Sequence, residues 1–145
     1  MFKVYVNGPA HFFFYTVKMT ADYSNFPIQV VIVDEAMAAD KDFIAKKAHG
    51  KFPFMETPDG TIIRESTAIA AFIARTAGNQ DFLGNSAFEE AQVEQWVDFA
   101  TATIAPNMYK TALHTYGWKV DKNAYADGTK NLKDACKVLN TRLAG

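Results

Sequence analysis

Glu65 and Ser66 stand directly before Ile69, Phe72 and Ile73, which recur at helical spacing. A serine in that place is an N-cap, contributing about 1 kcal/mol, and a glutamate there is favoured by the helix dipole. The same pair could also do chemistry. Free N–H groups and the positive end of a helix bind a carboxylate, and Glu65 would face an ammonium of the same ligand. Upstream, Lys51, Phe52 and Pro53 lead into Phe54-Met55-Glu56. Thr57-Pro58-Asp59-Gly60 then separates that run from Thr61 to Arg64. Proline presets φ and glycine tolerates a positive φ, so two antiparallel strands are expected around a tight turn. One ligand could touch both strands and the helix start.

Other groups capable of chemistry are few. Tyr5 lies in Phe2 to Val6, a short strand, where a phenol either donates a hydrogen bond or simply packs. His11 follows Asn7-Gly8-Pro9, where it could donate a hydrogen bond or cap a helix. Cys136 is the single cysteine, which excludes an internal disulfide and a cysteine-based metal cluster and fits a reducing compartment. Its helical spacing with Leu132 and Leu139 reads as core. His49 and His114 stand apart from any carboxylate pattern, so no metal site is expected.

The elements that must carry these residues follow from periodicity. Residues 10–23 hold Phe12, Phe13, Phe14, Tyr15, Val17 and Met19, a helix expected to be buried between two layers. Ile28 to Val33 is a β-branched run expected to be a parallel strand buried on both faces. Asp34 to Ala48 reads as a short, exposed, irregular helix. The order β-α-β-α then β-β-α is thioredoxin-like, a small mixed sheet with helices on both faces. Gly78 to Gly84 reads as a linker with Phe82-Leu83 as an apolar plug.

Ser86 and Glu89 match a capping box. Val93, Trp96, Val97, Ala100 and Ile104 then mark a long helix that Pro106 is expected to limit. Leu132, Ala135, Cys136, Leu139 and Leu143 mark a last helix, entered near Asp127-Gly128-Thr129. Residues 1–78 thus form a thioredoxin-like domain, 79–85 a linker and 86–145 a helical domain.

With 145 residues, of which 49% are apolar, the chain can bury a core. A net charge of −1 offers no case for nucleic acid or membrane partners. Charge is uneven, with eight basic against thirteen acidic residues up to Tyr109 and seven against three beyond it. The later lysines are spread out, as on a solvated helix face. The N-terminus lacks a secretory pattern and no apolar run approaches the ~20 residues of a membrane span, so a cytoplasmic protein is expected.

Phe52-Pro53, Asp59-Gly60, Glu65-Ser66 and Ala68-Ile69 are spaced as in the glutathione transferase superfamily, which the first eighty or so residues resemble. Tyr23-Ser24, Gly50-Lys51-Phe52-Pro53, residues 65–70 and above all residues 91–100, with Gln92-Val93-Glu94-Gln95-Trp96-Val97, are similar to the gamma-subunit family of translation elongation factor 1. The resemblance implies a cis Pro53, with the backbone of Phe52 offered to an extended peptide. It implies that Lys51, Phe52, Pro53, Glu65 and Ser66 form a glutathione site, the last two receiving its γ-glutamyl end.

Transferases activate the glutathione thiol with a hydroxyl or thiol near the end of the first strand or the start of the first helix. The stretch from Tyr5 to His11 has no Ser, Thr or Cys, leaving Tyr5, and more remotely His11, as catalytic candidates. The function the resemblance implies is a non-catalytic scaffold that contacts the exchange-factor subunits of the elongation factor 1 complex, with no required cofactor. A glutathione transferase and an appendage of an aminoacyl-tRNA synthetase complex are the alternatives, and a homodimer is compatible with all three. Transferase domains continue for several more helices, so the helical half is expected to be incomplete and to expose apolar surface on its last helix.

Overall fold

The computed structural model describes residues 1–8, 12–49, 51–115, 117, 119 and 121–144. They fall into two compact units, Met1–Glu89 and Glu90–Gly145.

The first unit is built on a four-stranded sheet of order β2-β1-β3-β4, with β1 at Phe2–Val6, β2 at Ile28–Ile32, β3 at Phe54–Glu56 and β4 at Ile62–Arg64. Strand β1 runs parallel to β2, with Val4 opposite Val30, and antiparallel to β3, with Tyr5 opposite Phe54. Strands β3 and β4 form the expected antiparallel hairpin, with Phe54 opposite Arg64. Gly60, at φ +85, donates to the Thr57 carbonyl at 2.9 Å and so closes the turn.

Successive strand residues face opposite sides. Val4, Val6 and Met55 therefore pack under Phe14, Val17 and Ala21 of α1 (Phe12–Tyr23) and under Ile69 and Ile73 of α4 (Ser66–Ala77). Tyr5 and Phe54 point the other way, into a smaller cluster with Val31, Met37, Phe43, Phe52 and Ile62. That second face is covered by α2 (Glu35–Ala39), α3 (Lys41–Phe43) and a π turn over Ile44–Ala48, the irregular helical stretch expected from composition.

Two burial expectations are corrected. Strand β2 is parallel as expected, but it is the sheet edge, and Val30 and Ile32 are 38% and 58% exposed. A strand with a neighbour on one side only leaves part of each face uncovered. Helix α1 buries one face, whereas Tyr15, Met19 and Tyr23 on the other are exposed. At the far end of α4, Gly78 takes φ +69 and Asn79 donates to the Ala74 carbonyl, a Schellman-type stop. Phe82 of the connecting segment sets its ring edge-on against Tyr23.

Helix α5 (Ala87–Phe99) is entered through Ser86, whose Oγ accepts from the Glu89 N–H, while the Glu89 carboxylate reaches the N–H of Asn85 instead of that of Ser86. In the second unit Pro106 does not end the helix. A π turn at Ala100–Ile104 follows α5 directly, and α6 (Ala105–Thr115) continues from it. Proline has no N–H to give to an α-helical ladder, and a local change to i→i+5 bonding ahead of it lets the chain stay helical.

Helix α7 (Lys122–Leu143) starts at the N-cap Asp121, whose side chain accepts from the N–H groups of Asn123 and Ala124. Gly128 is therefore not the entrance but the point of closest approach to α6. A methyl group there would come within 2.8 Å of Lys110 Cβ and 3.1 Å of the Asn107 carbonyl oxygen. Asn131 Nδ2 donates to Asn107 Oδ1 across the same contact. Cys136, expected in the core, is exposed, because Gly128 and Ala135 define the buried side and residue 136 lies about 100° round the helix from 135. Val138 and Leu143 are exposed, and Trp96, Val138, Thr141 and Arg142 line an open cleft. Among the described residues no helix is long and apolar enough to cross a membrane.

Candidate functional site

The site is assembled by one row of strand pairing. Tyr5, Phe54 and Arg64 lie side by side on β1, β3 and β4. The chain entering β3 through Lys51-Phe52-Pro53 and the chain leaving β4 through Glu65-Ser66 consequently meet at one end of the hairpin. The Phe52–Pro53 bond is cis. Pro53 is buried, Phe52 is half-buried with its ring 5.7 Å from that of Phe54, and Lys51 is exposed.

At the start of α4 the cap lies one residue earlier than expected. Glu65, not Ser66, is the N-cap; its carbonyl accepts the Ile69 N–H at 2.9 Å, and Ser66 is the first helical residue. Glu65 reaches this place with φ +66 and ψ 121, a conformation that costs an L side chain about 1–3 kcal/mol. Its carboxylate makes no capping bond and is exposed. An exposed acid on a strained backbone, next to the open N–H groups of a twelve-residue helix, fits a ligand carrying both an ammonium and a carboxylate.

Tyr5 belongs to the same row, but its hydroxyl is engaged. It donates to Glu56 Oε2 at 2.8 Å, and its ring stacks on Phe54 at 4.6 Å. Burial, then the hydrogen bond to Glu56 and the charge of that residue, push the phenol up to about 12. Burial works in the opposite sense on Glu56 itself. There the hydrogen bonds from Tyr5 and Lys47, and the charges of Lys47 and Lys3, outweigh it and hold the carboxyl below its usual value. Lys47 Nζ stands 3.0 Å from Glu56 Oε1. Arg64 Nη2 donates to the Lys46 carbonyl at 3.1 Å, and its Nε is buried with no acceptor among the described residues.

His11 lies outside the described residues. His49 ends the π turn in the left-handed region, at φ +47. Among the described residues no three His, Cys, Asp or Glu side chains come together as a metal site would require. The sequence reading missed Glu56, Lys47 and Arg64. Alternation along β3 does put Glu56 on the same face as Phe54 and Tyr5, but nothing in the sequence points an irregular turn at it.

Residues 12–81 match the model of the glutathione S-transferase N-terminal domain. The chain also superposes on glutathione transferase F2 of Populus trichocarpa with a TM-score of 0.82, over 99% of this chain and 71% of that one, at 18% identity. Over residues 12–81 the chain is thus similar to the glutathione S-transferase N-terminal domain, and the structural likeness shows that it shares the transferase fold.

In sequence, the chain is also similar to elongation factor 1-gamma proteins. It is 32% identical to elongation factor 1-gamma of Prunus avium over 129 residues, which is 87% of this chain and 30% of that protein. It is 36% identical to "Probable elongation factor 1-gamma 2" of Arabidopsis thaliana over 104 residues, 71% of this chain and 25% of that protein. The chain thus spans about a quarter to a third of the length of these relatives. The transferase likeness of the structure carries the fold: a thioredoxin-like sheet followed by a helical region.

Proposed function

We propose that this chain is a non-catalytic, transferase-like scaffold domain of the elongation factor 1 complex, working through protein contacts with the exchange-factor subunits. In this reading Lys51, Phe52, Pro53, Glu65 and Ser66 form a residual glutathione-type site. The similarity to elongation factor 1-gamma over most of the chain supports the role. The single geometric observation that carries the absence of turnover is the Tyr5 hydroxyl. Activating a thiol requires a donor aimed at the sulfur and a proton inventory suited to neutral pH. The Tyr5 hydroxyl donates its hydrogen bond to Glu56, and the phenol is raised to about 12.

The residues present suit glutathione chemically. The Glu65 carboxylate would pair with its ammonium, and the N–H groups at the start of α4, with the Ser66 hydroxyl, would receive the adjoining carboxylate. Lys51 would meet the carboxylate at the other end of the tripeptide. Glutathione bound in this way would steady the domain, as any ligand specific to the folded state does, without being consumed.

The test combines a calorimetric titration with glutathione, a conjugation assay with a thiol-reactive electrophile, and a pull-down with purified exchange-factor subunits. Capture of an exchange-factor subunit without conjugation supports the scaffold. Robust conjugation with no subunit captured overturns it in favour of a transferase that uses Tyr5.

A further inference from the structure

The segment that delivers Lys51 to the site is the least regular part of the first unit. It consists of helices of five and three residues followed by a five-residue π turn, and neither short helix contains a buried residue. The two short helices pack on the sheet through the partly buried Met37 and Phe43. Its last turn, beyond Phe43, is tied to the sheet at two polar points. Lys47 Nζ meets Glu56 Oε1 at 3.0 Å, and the Lys46 carbonyl accepts from Arg64 Nη2 at 3.1 Å. The side chains of Lys47 and Glu56 are 31% and 19% exposed, so water and salt screen their pairing less than that of an open surface pair. Glu56 uses its other carboxylate oxygen for Tyr5, whose ring is locked between Phe54 and Phe43.

We infer that Glu56 is a positioning residue: accepting from Tyr5 of β1 and from Lys47 of the π turn together, it holds that turn, which precedes Lys51 and Phe52 in the chain, against β3. Tyr5 is thereby a strut and not a donor to ligand. Tyr5 and Phe54 are opposed across the sheet, which fixes the phenol; the phenol fixes one carboxylate oxygen, and the other oxygen then has a defined direction in which to hold Lys47. Removing either end loosens the approach to the site without touching a group that would contact the ligand. The consequence for ligand affinity rests on the glutathione-type reading above, whereas the consequence for the π turn does not.

Amide hydrogen exchange on the full chain tests this with Glu56→Gln and Lys47→Met. Glutamine keeps the size of Glu56 but loses its charge and one acceptor. Methionine removes the ammonium from the more exposed end, where global unfolding is least expected. Both variants should exchange the amides of Ile44 to Ala48 about tenfold faster, with those of Val4, Met55 and Ile69 unchanged. Native-like exchange at Ile44 to Ala48 in both variants, or an equal rise throughout the sheet, overturns the inference.

Glutathione titration reads the second half. If the unaltered chain binds, both variants should bind about tenfold more weakly at an unchanged folded fraction. Faster exchange with unchanged affinity would break the link between the turn and the site. If the unaltered chain gives no binding heat, the proposed ligand site fails, and the exchange arm still decides the role of Glu56.

Discussion

The Tyr5 hydroxyl and the Glu56 carboxylate are joined at 2.8 Å between residues fifty-one apart in sequence, from neighbouring strands. Burial, together with the bond, raises the phenol, and the bond, together with Lys47 and Lys3, lowers the carboxyl against its own burial, so the pair leaves a signature at each end of the pH scale.

At the alkaline end, ultraviolet titration should show one phenol ionising near 12 in the native chain, and Glu56→Gln should bring it down toward 10. Tyr5→Phe should remove that transition. For a phenol ionising later in the folded than in the unfolded state, the unfolded chain loses its proton first. The stabilisation is whole below about 10 and disappears as pH rises to about 12. Urea midpoints across that window should fall more steeply for the native chain than for Tyr5→Phe.

At the acid end the sign reverses. The folded Glu56 carboxyl is held below its ordinary value, so its contribution is present above the unfolded carboxylate range and is lost as pH falls toward the lowered folded value. The stability difference between native chain and Glu56→Gln should be largest near neutrality and should shrink on acidification. Constant spacing of the two denaturation curves from neutral pH down to 3 would refute this.

Glu65 allows a separation of backbone strain from side-chain role. At φ +66 a glycine is relaxed and an alanine is not. Glu65→Gly should be more stable than Glu65→Ala by about 1–2 kcal/mol, and neither should retain the native affinity for glutathione. Equal melting of the two variants would count against strain at this position.

Gly128→Ala pits propensity against packing. Alanine is favoured in a helix interior by about 1 kcal/mol, but the added methyl would lie 2.8 Å from Lys110 Cβ, an atom fixed to the α6 backbone. Overpacking of that kind costs about 1–3 kcal/mol. A net loss of about 1 kcal/mol is expected by chemical denaturation of the variant, and a gain would mean that α6 and α7 part more easily than their contact suggests.

What the sequence revealed was local in origin. Pro58-Asp59-Gly60 announces its hairpin because the turn chemistry lies within four residues, and the thioredoxin-like order follows from runs that are each continuous. The misses share the opposite property. An apolar run such as Ile28 to Ile32 signals a strand, but not how many neighbours it has. Ser66 lost the cap to Glu65 because backbone angles decided it, against the preference of a glutamate. Gly128 looked like a helix breaker, since close approach to α6 cannot be seen from α7 alone. Of the candidate site, the expected hairpin is what brings Phe52-Pro53 and Glu65-Ser66 to one end, while their role as a ligand site came from the resemblance; the contact of Glu56 with Lys47 was not legible, because it joins a strand to an irregular turn.

The π turn at Ala100–Ile104 acts as a phase slip in a helical run that extends through residues 87–115. One residue more than an α-helix needs turns everything downstream by about 100°. With the slip in place both Trp96 ahead of it and Asn107 beyond it meet α7, the first beside Val138, Thr141 and Arg142 and the second at Asn131. Deleting one residue between Ala100 and Ile104 would restore a single α-helical phase and swing Asn107 away from α7. Length at this point works as a setting of azimuth: exchange of side chains there should be tolerated more readily than the loss of a residue.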